Sequence, residues 1–191
     1  MATIDLPNNI LEALSTVLQQ LQQSLPKIKQ APDFSAIAFK WENGELKPIH
    51  QLKRIELNDL KGIERQKEKV LQNTEQFLNG LPANDVLLTG SRGTGKSSIV
   101  RALLTEYADQ GLRLIEIERD DLSELPEIQK LIAKRPEKFI VYCDDLAFNA
   151  EDENYRSLKS VLDGSLQSGS SNFIIYATSN RRHLLPEFMH E

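Results

Sequence analysis

The sequence predicts an α/β fold with a mostly parallel sheet between layers of helices. Two observations support this prediction. Four short segments have the apolar content and length of strands, and segments with helical spacing of apolar residues separate them. The predicted strands are 85–89, 112–117, 139–143 and 173–177. Strands that alternate with helices in this way form parallel sheets with right-handed crossovers.

The predicted helices between these strands follow the chain in order. One runs from about residue 62 to residue 78, and the next follows the first strand over 98–107. Apolar residues at helical spacing predict a third helix between Leu122 and Ile132, with Asp120 and Asp121 as candidate caps. A fourth is predicted over 155–166, before a Ser- and Gly-rich loop at 165–171.

An extension precedes this alternating pattern. Residues 8–25 carry apolar side chains at helical spacing, for which we expect packing within the chain rather than on a partner helix. Residues 34–41 and 45–49 resemble strands, and the intervening Asn43-Gly44 is a strong hairpin signal. In this hairpin Trp41 is expected to be half-buried. We therefore predict an extension of one helix and one hairpin over 1–54 and the main domain over 55–191.

Composition restricts the class of protein. The chain has 191 residues, a net charge of −5 and an isoelectric point near 5.4, which does not support a broad basic surface for nucleic acid. Its one cysteine, Cys143, lies in an apolar run, so a buried thiol and a reducing compartment are expected. No secretory signal or membrane span is apparent, and we expect a cytoplasmic protein without a membrane partner.

The most specific feature is the segment 90–97, Gly-Ser-Arg-Gly-Thr-Gly-Lys-Ser, between a predicted strand and a predicted helix. Its glycines allow backbone N–H groups to surround phosphates, the lysine reaches the β- and γ-phosphates, and the serine hydroxyl binds Mg²⁺. The segment predicts a nucleotide-binding P-loop with a nucleoside triphosphate and Mg²⁺ as ligands. The predicted nucleotide-binding residues are Gly90, Ser91, Arg92, Gly93, Thr94, Gly95, Lys96, Ser97 and Ser98.

Two further polar elements end predicted strands. Asp144 and Asp145 follow the apolar run 139–143, at the sheet edge where α/β proteins bind ligands. Asp144 is the predicted Mg²⁺ ligand, and Asp145 the predicted general base or water-positioning carboxylate. Asn180 ends the run Thr-Ser-Asn after the last strand and is expected to orient the attacking water. The predicted catalytic residues are thus Lys96, Asp145 and Asn180, with Ser97 and Asp144 at the metal.

These three elements, in this order, resemble an AAA+ ATPase of the three-layer P-loop NTPase fold. Residues 59–63, Asp-Leu-Lys-Gly-Ile, resemble the segment that contacts adenine in that module, which implies nucleotide contacts for Gly62 and Ile63. The stretches 143–148 and 176–186 are similar to a bacterial family of predicted AAA+ ATPases, the domain-of-unknown-function family 815. The resemblance covers roughly residues 50–191 and implies ATP as the nucleotide, with self-association in a full-length form.

Three departures from the AAA+ pattern stand out. Asp145 takes the place of the usual glutamate, which puts efficient hydrolysis in question. After the fourth predicted strand nothing resembles a last strand or a helical lid, so the domain looks truncated. Arg181 and Arg182 come early for an arginine that acts on a neighbour's nucleotide. For these two arginines, contact with phosphate or a neighbouring subunit and simple solvent exposure both stay open.

Three functions follow from these patterns. The first is an ATPase module that couples ATP binding and hydrolysis to rearrangement of partners. The alternative is a nucleotide-dependent protein-binding module with little or no hydrolysis, suggested by Asp145 and the missing lid. A DNA-linked loader or initiator ATPase is the second alternative, which the acidic composition disfavours. The sequence does not identify a client protein.

Overall fold

The computed structural model of the chain describes residues 10, 12, 14–17, 32–147 and 172–180. The chain divides into two units, Met1–Ala31 and Pro32–Glu191. The described residues of the first unit are helical, as predicted, and Ile10, Leu14 and Val17 are exposed. The predicted helix at 155–166, the loop at 165–171, Arg181 and Arg182 lie outside the described residues.

The second unit alternates strands and helices as the sequence predicts. Its strands are β1 (Ala38–Glu42), β2 (Glu45–Pro48), β3 (Val86–Thr89), β4 (Leu112–Glu116), β5 (Lys138–Cys143) and β6 (Phe173–Ser179). Its helices are α1 (Glu64–Leu78), α2 (Lys96–Tyr107) and α3 (Leu125–Ile132). Short 3-10 turns cover Leu57–Asp59, Ala108–Gln110 and Arg119–Glu124. Asp120 and Asp121 lie inside the last of these turns and make no capping hydrogen bond, so their predicted capping role is wrong.

The strands form one six-stranded sheet in the order β2-β1-β4-β5-β6-β3. All neighbouring pairs are parallel except β1 and β2. The central strands β5 and β6 are almost entirely buried, because both of their faces are covered. The structure therefore confirms the predicted α/β class and the mostly parallel sheet.

The predicted hairpin is present and belongs to the same sheet. Asn43 and Gly44 both have positive φ, 54° and 72°, as the two-residue turn between antiparallel strands requires. Strand β1 also pairs in parallel with β4, so the hairpin extends the sheet at one end. It begins at Ala38 rather than at residue 34, since Asp33 accepts a hydrogen bond from the Ser35 amide and residues 34–37 form turns and bends.

Two apolar cores lie on opposite faces of the sheet, which gives three layers. Helices α1 and α2 cover one face, where Val70, Ile99 and Leu103 pack against alternate strand residues. Helix α3 covers the other face through Leu125 and similar residues. Trp41 belongs to this second core and is only 1% exposed, so the half-buried role predicted for it is wrong. The indole is fully enclosed because its Nε1 donates a hydrogen bond to Glu124 Oε2 at 2.6 Å.

Strand β3 differs from the other strands of the parallel sheet. It pairs with β6, and in the part of the chain that the structure describes it has no second neighbour. The apolar run 85–89 predicts a buried strand, and this prediction is wrong, because an edge strand leaves one side unpaired. Its residues alternate between partly buried and exposed, with Leu87 41% exposed.

Candidate nucleotide-binding site

The segment between β3 and α2 forms a tight loop at the carboxyl ends of the strands. Gly93 and Gly95 have φ of 80° and 88°, a left-handed conformation that glycine adopts without steric cost. Gly95 directly precedes α2, whose first turn closes through the hydrogen bond from the Ile99 amide to the Gly95 carbonyl at 3.0 Å. The loop thus leads into the N-terminus of a 12-residue helix, the positive end of its dipole.

Lys96 is the cation at the centre of the loop. Its Nζ donates to the Gly90 carbonyl at 2.6 Å, the Ser91 carbonyl at 2.9 Å and Asn180 Oδ1 at 3.0 Å. These three bonds use the three protons of an ammonium group. Lys96 therefore links the loop to the residue that follows β6. An anion bound in the loop would compete for the protons of this ammonium group.

Asp144 joins the loop to the ends of β5 and β6. Its Oδ1 accepts hydrogen bonds from Ser97 Oγ at 2.9 Å, from Thr178 Oγ1 and from the Asp145 amide at 3.2 Å. Burial alone would raise the pKa of this carboxyl. The surrounding hydroxyl groups, that of Thr178 first, outweigh burial and hold the pKa of Asp144 below its usual value. Asp144 is thus an anion held next to the first turn of α2.

Asp145 has an unusual backbone conformation. Its φ is 53°, which is rare for a residue with a side chain. Hydrogen bonds fix it, because its amide donates to Thr178 Oγ1 at 2.9 Å and its Oδ1 accepts from Asn180 Nδ2 at 2.6 Å. The Arg92 guanidinium lies 3.9 Å from Oδ2, and both side chains are exposed. Such a conformation persists only where neighbours hold it, and such residues concentrate at functional sites.

The segment before α1 touches the same loop. Gly62 has a φ of 76°, and the Ile63 side chain follows it toward Gly95. A Cβ added to Gly95 would stand 3.2 Å from Ile63 Cδ1, which shows how closely the two segments approach. Ile63 thus places an apolar surface beside the loop, as a base-contacting residue requires.

A cavity of about 270 Å³ lies between these elements. Its walls are Arg92, Gly93, Thr94, Gly95, Lys96, Ser97, Ser98, Asp144, Asp145, Thr178 and Asn180. The structure thus brings together the predicted loop residues from 92 to 98 with the acidic pair and Asn180. Gly90 and Ser91 take part through their carbonyl groups, and Gly62 and Ile63 lie beside the loop rather than in this cavity.

Two side chains at the site were not predicted from the sequence. Thr178 bonds both acidic residues. The sequence carries a signal for it, since Thr178 directly follows the apolar run 173–177, near the end of the strand parallel to the one before Asp144. Tyr142 lies two residues before Asp144, and burial raises the pKa of its hydroxyl group. It falls inside an apolar run, where a tyrosine is normally read as a core residue.

The site fits Mg²⁺ better than a metal held by the protein alone. Among the described residues, no group of three or more His, Cys, Asp or Glu side chains could hold an ion. Mg²⁺ bound with a nucleotide needs only one or two protein oxygen ligands beside phosphate and water. The Ser97 hydroxyl and the Asp144 carboxylate, 2.9 Å apart, are hard oxygen ligands of this kind.

Comparison with known proteins assigns the family. The family model described as "Protein of unknown function (DUF815)" matches residues 34–191, most of the chain. The chain belongs to this family. The match confirms the resemblance drawn from the stretches at 143–148 and 176–186. Since the family has no function in its description, membership alone does not say what the DUF815 chain does.

Solved structures similar to the DUF815 chain support the fold. Trip13 of Rhizobiales matches with a TM-score of 0.50 and 14% identity, over 66% of this chain and 57% of that one. DnaA of Aquifex aeolicus, solved with AMPPCP bound, matches with a TM-score of 0.45 and 21% identity, over 63% and 39%. The likeness to Trip13 supports the three-layer α/β fold, and the DUF815 chain spans 57% and 39% of these two chains.

One curated protein is similar at the level of sequence. The large subunit of replication factor C from Methanococcus maripaludis is 36% identical over 52 residues, which are 27% of this chain and 11% of that protein. A match of this extent covers one segment of a much longer protein.

No helix within the described ranges is long and apolar enough to cross a membrane.

Proposed function

We propose that the DUF815 chain is an ATP-binding AAA+-type module that couples ATP binding and hydrolysis to the rearrangement of partners. One observation carries this proposal. Lys96, Ser97, Asp144 and Asn180 come from three separate segments and meet through direct hydrogen bonds at the carboxyl ends of β3, β5 and β6. This is the edge at which α/β sheets bind ligands.

Each residue has a chemical role in this proposal. The Lys96 ammonium exchanges its bonds to the loop carbonyls for bonds to the β- and γ-phosphates. Ser97 and Asp144 would hold Mg²⁺, which neutralises charge on the phosphates as the γ-phosphoryl group leaves. Asp145 and Asn180, bonded to each other at 2.6 Å, would orient the attacking water. Gly62 and Ile63 supply the contact with the base.

Phosphate release from ATP tests the catalytic part of this proposal. The wild-type chain should release phosphate in a Mg²⁺-dependent reaction, and Asp145→Asn should slow it at least tenfold while ATP still binds. Asp121→Asn is the matched control, since Asp121 lies in the 3-10 turn before α3 and does not line the cavity. Normal turnover by Asp145→Asn would remove Asp145 from the reaction.

The arrangement around Asp145 favours a second candidate, a nucleotide-dependent protein-binding module with little hydrolysis. Asn180 and Arg92 both engage the Asp145 carboxylate, and its φ of 53° fixes that position. These contacts restrain the Asp145 carboxylate, so it is less able to move toward a water molecule and activate it for hydrolysis. This candidate predicts ATP binding through Lys96 with no release of phosphate above background. Robust turnover that Asp145→Asn abolishes would reject it.

The wider roles of the protein are part of the same proposal. The preference for ATP over GTP and self-association both rest on the AAA+ resemblance, and a cytoplasmic location rests on composition. A DNA-linked loader or initiator is the weakest candidate, because the net charge of −5 gives no general attraction to phosphate backbones. Salt-sensitive binding of single-stranded or duplex DNA would restore it.

A further inference from the structure

Tyr142 is a buried polar side chain that the fold alone does not explain. It is 0% exposed, and it packs in the core beneath α1 and α2. Within the described part of the chain, its hydroxyl oxygen makes no hydrogen bond of ordinary geometry. Burying a hydroxyl without a partner costs free energy, and such groups are rare in folded proteins. Because the unpaired Tyr142 hydroxyl does not stabilise the fold, we looked for a functional role for it.

The position of Tyr142 shows where its hydroxyl is directed. Side chains alternate along a strand, so Tyr142 and the residue two places on, Asp144, are on the same side of the sheet. Asp144 itself accepts hydrogen bonds from Ser97 Oγ and Thr178 Oγ1. The Tyr142 hydroxyl is therefore on the side of the sheet that carries the candidate metal ligands, and it makes no hydrogen bond of ordinary geometry there.

Tyr176 provides an internal comparison. It is the register partner of Tyr142 on the neighbouring strand, is 0% exposed and belongs to the same core. Its hydroxyl is fully accounted for, with Thr74 Oγ1 at 2.8 Å and a hydrogen bond from Asn73 Nδ2 at 3.0 Å. Two tyrosines in matching positions thus differ in one respect. The Tyr176 hydroxyl bonds to helix α1, whereas the Tyr142 hydroxyl has no hydrogen-bond partner among the described residues.

We propose that Tyr142 is a positioning residue of this site, whose hydroxyl donates a hydrogen bond to the Asp144 carboxylate when ATP and Mg²⁺ are bound. The inference rests on the proposed function. Asp144 Oδ1 already accepts three bonds in the ligand-free arrangement, from Ser97, Thr178 and the Asp145 amide. Release of one of these donors when the ligands bind would free an oxygen of the Asp144 carboxylate to accept the Tyr142 proton, and the new bond would hold the carboxylate in place.

Two tyrosine-to-phenylalanine variants of the full chain test this proposal, because each removes a hydroxyl and keeps the ring. Without nucleotide, Tyr176→Phe should lower Tm by roughly 2–4 °C, since it removes the hydrogen bonds that join the Tyr176 hydroxyl to Thr74 and Asn73. Tyr142→Phe should leave Tm unchanged or raise it, because the hydroxyl it removes had no partner. A loss of Tm in Tyr142→Phe equal to that in Tyr176→Phe would overturn the proposal.

The second measurement is the Mg²⁺ concentration that half-saturates binding of a fluorescent ATP analogue. Tyr142→Phe should raise it roughly tenfold, the value of one hydrogen bond to a charged group, and Tyr176→Phe should not change it. In an Asp144→Asn background Tyr142→Phe should have no further effect. An unchanged Mg²⁺ requirement in Tyr142→Phe overturns the role of Tyr142 alone. Failure of the wild-type chain to bind the analogue overturns the proposed function and this inference together.

Discussion

The two edges of the parallel sheet use polar residues in different ways. At the carboxyl edge, defined by residues 90–98, 144–145 and 180, side chains from distant segments bond to one another across 35 to 84 positions of sequence. At the amino edge, defined by Gly111, residues 135–138 and Asn172, the bonds close a compact turn. Asn172 Nδ2 donates to the carbonyls of Ile132 and Arg135, at 2.6 and 3.2 Å. The first arrangement borders a cavity, whereas the second joins main-chain segments directly.

The two edges differ in the hydrogen-bond partners of their polar side chains. At the amino edge a side-chain amide caps main-chain carbonyls, and Arg135 and Glu137 pair through two bonds of 3.0 and 2.6 Å. At the carboxyl edge Lys96 joins two loop carbonyls to the Asn180 side chain, and Ser97 and Asn180 donate to the carboxylates of Asp144 and Asp145. These bonds lie beside backbone with positive φ at Gly93, Gly95 and Asp145. Polar groups arranged in this way can exchange partners with a ligand. We therefore expect changes at the carboxyl edge to affect binding and changes at the amino edge to affect stability.

Two glycine-to-alanine substitutions, one at each edge, should give the largest difference in ATP affinity. Gly95→Ala introduces a side chain at a φ of 88°, which strains the loop backbone, and 3.2 Å from Ile63 Cδ1, which must shift, so ATP affinity should fall by well over tenfold. At Gly111, φ is 90° and an added Cβ would meet nothing within 4 Å. Gly111→Ala should therefore lower the free energy of unfolding by about 1–2 kcal/mol through backbone strain alone, without changing ATP affinity. Titration with a fluorescent ATP analogue and urea unfolding measure the two effects. Equal losses of affinity would contradict the distinction between the edges.

A pair of asparagine variants sharpens the comparison. Asn172→Ala removes the donor to two well-placed carbonyls and should lower the free energy of unfolding by about 2 kcal/mol, with ATP affinity unchanged. Asn180→Ala removes the exposed partner of Lys96 and Asp145 and should change stability by less than about 0.5 kcal/mol. Phosphate release should fall in the second variant. If Asn180→Ala were the less stable of the two, Asn180 would be a structural residue.

The smallest expected effect is a pH dependence at the amino edge. The hydrogen bond from Arg135 holds the pKa of Glu137 below its usual value. The pair should therefore stabilise the fold above the unfolded pKa of glutamate, about 4.3, and this contribution should be lost as pH falls through the lower folded pKa. Glu137→Gln should be slightly less stable than wild type at pH 7, and in thermal melts the difference should shrink as pH falls below the unfolded pKa and vanish below the folded pKa. A difference that persists at acid pH would mean that the pairing of charges is not its source.

Much of the carboxyl edge could be predicted from the sequence. The P-loop is contiguous, and Asp144 and Asn180 directly follow apolar strands, so parallel strands alone bring them to one edge. The roles of Thr178 and Tyr142 depend on side-chain geometry between strands. No spacing in the sequence shows that one buried tyrosine hydroxyl has a partner and the other does not.

The parts of the fold that were missed depend on long-range contacts. The hairpin was recognised from Asn43-Gly44, but the parallel pairing of β1 with β4 joins residues more than 70 positions apart, for example Ala38 and Leu114. The indole of Trp41 is enclosed by Glu124, from a turn equally far along the chain. The exposure of β3 follows from its position at the edge of the sheet, which strand order decides and a local apolar run does not.

The central claim is that the P-loop binds a nucleoside triphosphate through Lys96. The most direct test is equilibrium titration of ATP with Mg²⁺ into wild type, Lys96→Ala and the exposed helix variant Lys69→Ala. We predict that wild type and Lys69→Ala bind alike, while Lys96→Ala binds on the order of 100-fold more weakly with an unchanged Tm. A folded Lys96→Ala variant that binds ATP as tightly as wild type would contradict the claim.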